Sequence, residues 1–219
     1  MKKLITAIFG FALICFSADA VERKIGLTAA LTDFESTGTE TMKSNSDKTS
    51  AEVSESVVVP SLFFEITSDA GLGIGIDFIP SEAELGSRSK AKVDIDTDDA
   101  ADNAGTNKAS AEVSGHQTIY LRIPVKAAFL KVGYVSADIE TTENLETGTT
   151  YGNKSVNGTM VSIGFDKDLP KGAFLRAELA YTDYDDITLT GSADTDGVSN
   201  KVDADVDATS LRLSIGKAF

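Results

Sequence analysis

The stretch Ser210–Phe219, SLRLSIGKAF, indicates the fold class of this 219-residue chain. Large apolar side chains alternate in it with small or charged ones, which is the two-residue period of a β-strand with one apolar and one polar face. The apolar set is Leu211, Leu213 and Ile215, and the other set is Ser210, Arg212, Ser214 and Gly216.

Seven earlier segments alternate in the same way, at 24–32, 57–66, 72–78, 117–125, 129–135, 159–165 and 173–181. The resulting eight strands are joined alternately by long polar stretches (33–56, 81–115, 141–157, 185–207) and short turns (68–71, 126–128, 166–172). Outer-membrane barrels have an even number of strands, short periplasmic turns and long outer loops. We therefore expect an all-β, eight-stranded, antiparallel up-and-down transmembrane barrel with three short periplasmic turns and four long extracellular loops.

The polar faces of these strands combine small residues with charges of both signs, as a crowded barrel interior requires. Charges that face the lumen pair across it, which lowers the desolvation cost that each would bear alone. The alternative is a soluble barrel with its apolar faces inward. The predicted lumen ion-pair network is Lys24, Glu65, Asp77, Arg122, Lys131, Arg176, Glu178 and Arg212.

Aromatic residues near the strand ends favour two girdles at the two membrane interfaces. The set near the short turns is Phe64, Phe129, Phe165, Phe174 and Phe219, and the set near the long loops is Phe34, Tyr134, Tyr181 and Tyr184.

The N-terminus has the pattern of a secretory signal peptide. Lys2 and Lys3 precede an apolar stretch (4–16), and Ala18-Asp19-Ala20 forms a small-x-small cleavage site. We expect a signal peptide at 1–20 and a single barrel domain at 21–219. The only cysteine, Cys15, lies within the signal, so the mature chain is expected to have no disulfide.

Composition and motifs argue against several kinds of chemistry. The formal net charge of −14 disfavours nucleic acid as a partner. The single histidine, His116, has no nucleophile at a recognisable spacing, so we expect neither an enzyme nor a cofactor. Two acidic runs are weak metal candidates, although solvated acidic loops are the favoured interpretation. Their carboxylates are Asp94, Asp96, Asp98, Asp203, Asp205 and Asp207.

Two long-loop stretches resemble each other: KTSAEVSES at Lys48–Ser56 and KASAEVSGH at Lys108–His116. Each leads into a predicted strand. The two stretches are either strand extensions beyond the bilayer or a coincidence of a chain rich in Ser, Ala and Glu.

The signal peptide, the eight strands and the ending LRLSIGKAF resemble the small outer-membrane barrels of the OmpA-like and opacity-protein-like family. In that family an apolar, aromatic-ended last strand is the signal for the outer-membrane assembly machinery. Lys217 departs from that pattern, and the peptidoglycan-binding domain of full-length OmpA is not represented in the sequence. The residues that match the assembly signal are Leu211, Leu213, Ile215 and Phe219.

These features predict a protein of a Gram-negative-type cell outer membrane that contacts lipid and lipopolysaccharide. Its expected role is structural or surface interaction, with a side-chain-filled lumen and acidic extracellular loops that bind divalent cations at most loosely. The alternative is a small, weakly conducting porin-like channel. A soluble periplasmic ligand-binding barrel is a third possibility.

Overall fold

The computed structural model describes residues 21–41, 48–80, 83–92, 105–144, 150–192 and 201–219. The predicted signal peptide lies outside these residues. No helix within the described ranges is long and apolar enough to cross a bilayer. The strands are β1 (Val21–Thr41), β2 (Lys48–Ser68), β3 (Gly73–Phe78), β4 (Ala83–Lys92), β5 (Gly105–Val125), β6 (Ala128–Asn144), β7 (Lys154–Asp168), β8 (Ala173–Tyr184), β9 (Ile187–Thr190) and β10 (Lys201–Ala218).

The strands close into one antiparallel ring. β3 and β4 pair one after the other with the same side of β5, and β8 and β9 do the same with β10. The ten strands therefore occupy eight positions around the ring. β1 closes the ring against β10, and Arg23 and Phe219 exchange two backbone hydrogen bonds at the seam, of 2.9 and 3.0 Å. The predicted eight-stranded antiparallel barrel is confirmed.

The three short turns and the residues Val21 and Phe219 lie at one end of the barrel, the turn end. In the first turn Gly71 donates to the Ser68 carbonyl at 2.7 Å, and its φ of 79° is a conformation that glycine adopts without strain. The second turn is two residues long, between β5 and β6. The third contains the 3₁₀ turn Pro170–Gly172.

The opposite end, the extension end, contains more strand than expected. β1, β2 and β5 are each 21 residues long and continue far into the stretches predicted as loops. Short hydroxyl side chains link β1 to β2 in this region, as in the 3.0 Å bond between Thr39 and Ser50. Lys48–Ser56 and Lys108–His116 both lie within strands, which supports their interpretation as strand extensions.

At mid-height of the barrel, between the turn end and the extension end, large apolar side chains point outward. Leu27, Val58 and Leu213 are 59%, 70% and 58% exposed, whereas Lys131 and Arg176 are buried inside. The alternative with an inward apolar core is therefore wrong. We call this surface the apolar belt: the outward-facing residues of 25–31, 58–66, 74–78, 119–125, 130–134, 161–165, 175–181 and 211–219.

Beyond the belt, toward the extension end, the polarity of the two faces reverses. Inward-facing apolar side chains form an upper core of Ala137, Ile139, Val156 and Ile187. Outward-facing side chains at this height, such as Asp138, are exposed and polar. β10 shows the reversal most clearly: its outward face is apolar in the belt and acidic above it, whereas Val202, Ala204, Val206 and Ala208 lie on its inward face.

The ring also divides at the extension end into two sheets, β9–β10–β1–β2 and β4–β5–β6–β7. One seam, between β7 and β9, is bridged by backbone bonds of 2.7 Å from Asp185 to Asn157 and from Ser192 to Thr150. At the other seam, β2 pairs with β3 only at Leu62–Thr67. Among the described residues, Lys48–Ser61 thus pairs on the β1 side alone. We call its other side the free edge.

Inside the barrel, aromatic rings lie over glycines of the neighbouring strand. A Cβ on Gly26 would stand 2.5 Å from Cε1 of Phe63, and one on Gly164 would stand 2.6 Å from Cζ of Phe129. The missing side chain makes room for the ring, an arrangement that fixes strand register. Four such pairs are directly opposed: Gly26–Phe63, Gly75–Tyr120, Gly164–Phe129 and Gly216–Phe174.

We expect Gly26→Ala to destabilise the barrel by about 1–3 kcal/mol, because overpacking forces the Phe63 ring out of a filled interior. Urea unfolding of the refolded protein, followed by circular dichroism, measures this loss. Gly38→Ala in the same strand is the control, since nothing lies within 4 Å of the added Cβ. Equal effects of the two substitutions would contradict the assigned role of the glycine.

Candidate functional site

The lumen contains all eight charged residues of the predicted network, and the structure brings them into one connected cluster. They come from seven of the eight strand positions around the ring, because inward-facing residues recur at every second residue of each strand. Asp166 of β7 joins them. The connections are ion pairs among Lys24, Glu65, Asp77, Arg122, Lys131, Asp166, Arg176, Glu178 and Arg212.

Arg176 of β8 is the centre of the cluster. Its Nη1 and Nη2 donate to the two carboxylate oxygens of Glu65 at 3.0 and 2.8 Å, across the barrel. Its Nε and Nη2 donate to the two oxygens of Asp166 at 2.7 and 3.1 Å. A guanidinium that serves two carboxylates in this forked way forms strong, directional bonds. Arg176 and Glu65 are almost completely buried.

Asp166 and Glu65 also bind the residues nearest the turn end. Lys24 and Arg122 each donate to Asp166 Oδ2 at 3.3 Å. Arg122 Nη1 donates in addition to the Gly71 carbonyl at 2.8 Å, which connects the cluster to the first turn. Three cations therefore surround one carboxylate close to the turn end of the lumen.

A second group of ion pairs lies adjacent to Arg176 in the lumen. Lys131 Nζ donates to Glu178 Oε2 at 2.5 Å, and Arg212 Nη2 donates to Asp77 Oδ2 at 2.5 Å. Arg212 Nε lies 3.7 Å from Glu178 and so connects the two pairs. Five cations and four carboxylates thus share the interior.

Aromatic rings fill the space between these charges. The Arg176 guanidinium lies 4.8 and 4.9 Å from the ring centroids of Phe63 and Phe129. Lys131 Nζ lies 4.3 Å from the Tyr120 centroid. Such contacts stabilise a desolvated cation. Tyr120 and Phe129 are 1% and 0% exposed, so the rings close the lumen at this level.

The predicted girdles need correction. Phe129 and Phe174 are lumen residues, because they share the inward parity of Lys131 and Arg176. Phe34 and Tyr184 also have inward parity, beyond the belt. The remaining girdle candidates lie on the outward parity: Phe64, Phe165, Phe219, Tyr134 and Tyr181.

Sequence reasoning missed Asp166 as a lumen residue. The predicted strand stopped at Phe165, whereas β7 continues to Asp168. The signal was present, since Asp166 continues the inward alternation of Ser162 and Gly164. Extending the period by one step would have identified it.

His116 lies where β5 leaves the belt, at an irregularity of the register with β6 that contains Gly115 at φ 59°. Its Nε2 and the Tyr184 hydroxyl are 3.0 Å apart, and the two rings meet edge to face. The hydrogen-bond partner of this histidine is thus a phenol.

The outer face of the extension end is acidic. Asp203, Asp205 and Asp207 share the outward face of β10, as their spacing predicted. Hydrogen bonds from Lys201 Nζ and Thr188 Oγ1 lower the pKa of Asp203, whereas a hydrogen bond with Asp186 and its charge raise the pKa of Asp205. Of the described residues, no group of three or more is arranged to hold a metal ion. Asp94, Asp96 and Asp98 lie outside the described residues.

Comparisons with known proteins identify the fold. No family model matches the chain, and no curated protein sequence matches it. Among solved structures, the outer membrane protein OprG from Pseudomonas aeruginosa superposes with a TM-score of 0.59 at 15% identity, over 91% of this chain and 96% of OprG. The outer membrane protease OmpT from Escherichia coli gives 0.50 at 10% identity, over 93% of this chain and 98% of OmpT. The chain has the fold of an outer-membrane β-barrel.

Arg176→Met should be strongly destabilising, by about 3–5 kcal/mol, because it leaves Glu65 and Asp166 buried without their main partner. The measurement is equilibrium urea unfolding of the refolded barrel. Lys201→Met is the matched control: it removes an exposed pair with Asp203, worth at most about 1 kcal/mol.

Adding Glu65→Gln to Arg176→Met should recover part of that loss, because a neutral amide is easier to bury than an unpaired carboxylate. Strictly additive losses would argue against direct coupling of the two side chains.

Proposed function

We propose that this chain is a surface-exposed outer-membrane protein of a Gram-negative-type cell, with a structural or surface-interaction role and a filled lumen. The belt contacts lipid, the turn end faces the periplasm, and the extension end faces the cell exterior. Lipopolysaccharide is its neighbour in the outer leaflet, and divalent cations bind the acidic face at most loosely.

The observation that carries the proposal is the reversal of polarity along single strands. If water surrounded the whole strand, an outer face that is apolar in the belt would be unfavourable. If hydrocarbon surrounds the belt and water surrounds the part above it, both the apolar and the polar outer faces are favourable. On β10 the outward residues from Leu211 to Phe219 are apolar except for Lys217, and they span about 26 Å at roughly 3.3 Å per residue. At a strand tilt of about 40°, this gives an apolar height of roughly 20 Å. The apolar band of outer-membrane barrels is about 25 Å tall.

The filled lumen supports a role other than nutrient diffusion. Eight strands enclose an interior only just wide enough for side chains, and here five cations, four carboxylates and several aromatic rings occupy it. An ion would have to displace Arg176 or Lys131 from buried partners. A weakly conducting channel is therefore the second candidate.

A non-catalytic role is part of the proposal. The similarity to OmpT is a similarity of fold, and protease activity is a property of that protein. Among the described residues, the side chain of the only histidine, His116, bonds to the Tyr184 hydroxyl and not to a carboxylate or an aliphatic hydroxyl.

Export and assembly complete the proposal. Residues 1–20 act as a cleaved signal peptide, and the last strand acts as the assembly signal through Leu211, Leu213, Ile215 and Phe219. All four are more than half exposed on the outside of β10, where an assembly factor can reach them. Within the outer-membrane barrels, the OmpA-like and opacity-protein-like group remains the proposed kinship.

Cysteine labelling on intact cells tests the topology. The chain has no cysteine beyond residue 20, so each introduced thiol is unique in the mature protein. We expect a membrane-impermeant maleimide to label Asp205→Cys at the extension end on intact cells. Asp69→Cys, in the first short turn, should react only after permeabilisation.

Protection of both thiols, together with recovery of the protein in the soluble periplasmic extract, would reject the proposal. Labelling of Asp69→Cys alone on intact cells would invert the topology.

Planar-bilayer recording separates the two candidate roles. We expect no large steady conductance from the refolded wild-type barrel, because its ion pairs and rings fill the cross-section. Lys201→Met provides a matched protein preparation with an unchanged lumen and should behave identically. Steady porin-like steps in both preparations would favour the channel.

A further inference from the structure

The free edge of β2 takes no part in closing the barrel. From Lys48 to Ser61, the backbone pairs with β1 on one side only among the described residues. Unpaired backbone N–H and C=O groups along a strand edge are a template for a further strand. Strand addition at such an edge is a general mode of peptide recognition.

The sheet that ends at this edge is strongly acidic. In its parts at the extension end (33–41, 48–61, 183–190 and 201–207), eleven carboxylates occur against two lysines, Lys48 and Lys201. Asp183, Asp207 and Glu35 are directly opposed on three adjacent strands. The summed negative charge of this sheet favours a cationic partner at its edge.

The two faces of the free edge differ, and this difference specifies the side chains of a partner. Glu52 belongs to the outward, acidic parity and is exposed. Val53 and Val57 belong to the inward parity, and Val53 is 50% exposed although its face lies toward the upper core. An added strand would place basic side chains beside Glu52 and aliphatic ones beside the valines.

We propose that the free edge of β2 binds an extended polypeptide segment in which basic residues alternate with aliphatic ones. The bound segment becomes a further strand of the acidic sheet and covers Val53 and Val57. The inference rests on the proposed function for its location, since the edge meets a partner outside the cell only if the extension end faces outward.

A second copy of this chain does not fit the edge. Antiparallel pairing of β2 with its own copy requires a two-fold axis perpendicular to the sheet. That axis would invert one barrel relative to the other, whereas copies in one membrane share one orientation. The partner is therefore a different polypeptide.

The test uses the purified, detergent-solubilised barrel and a labelled peptide of about eight residues that alternates lysine with valine. Fluorescence anisotropy should show saturable binding that weakens as salt is added. Glu52→Gln should weaken binding by about threefold to fivefold, because a surface charge pair contributes at most about 1 kcal/mol. Glu140→Gln, an exposed glutamate on the other sheet, should leave binding unchanged.

Two N-methylated peptides distinguish strand addition from charge attraction. One carries N-methyl groups on every lysine and the other on every valine, and each therefore blocks one edge of the extended peptide only. Strand addition predicts that one isomer loses binding and the other keeps it. Equal binding of both isomers, or an unchanged affinity of Glu52→Gln, would overturn the proposal.

The peptide-binding test in detergent does not depend on where the protein lies in the cell. Binding in detergent combined with failed labelling of Asp205→Cys on cells would reject the proposed function and leave the edge site intact. Normal surface labelling without peptide binding would reject the edge site alone. Sedimentation of the same sample as a dimer that excludes the peptide would also overturn it.

Discussion

The forked hydrogen bonds of Arg176 are the interaction on which the rest of the barrel depends. A closed ring must turn one face of every strand inward, into a space only just wide enough for side chains. Arg176 on β8 reaches Glu65 on β2 across that space and Asp166 on the adjacent β7. It therefore ties β8 to β2, with which β8 shares no backbone pairing, and it is the main hydrogen-bond partner of two lumen carboxylates.

The aromatic rings and glycines make that ionic interior possible. Each ring needs a neighbour without a side chain, and the four opposed glycine–aromatic pairs supply it. The rings in turn stack on Arg176 and Lys131, which replaces part of the hydration that these cations lose. The buried cations, the aromatic rings and the glycines therefore pack as one unit, and a substitution in any of the three groups disturbs the packing of the other two.

A two-residue period was sufficient to predict the strands, the turn order and the inward parity, because side-chain direction in a strand depends on position alone. The same period placed Phe129 and Phe174 inside, but their position near strand ends suggested a girdle instead. Partner choice was beyond sequence reasoning. Whether Arg176 meets Glu65 or Asp77 depends on the relative shift of distant strands, which no local pattern records.

The length of the strands beyond the belt has the same origin as the free edge. Above the hydrocarbon the outer face is in water, so the strands bury apolar side chains on their inner faces and form the upper core. Two sheets packed around such a core do not require backbone pairing at every seam of the ring. The β2–β4 seam can therefore remain without backbone pairing, because the upper core and the bridged β7–β9 seam hold the two sheets together.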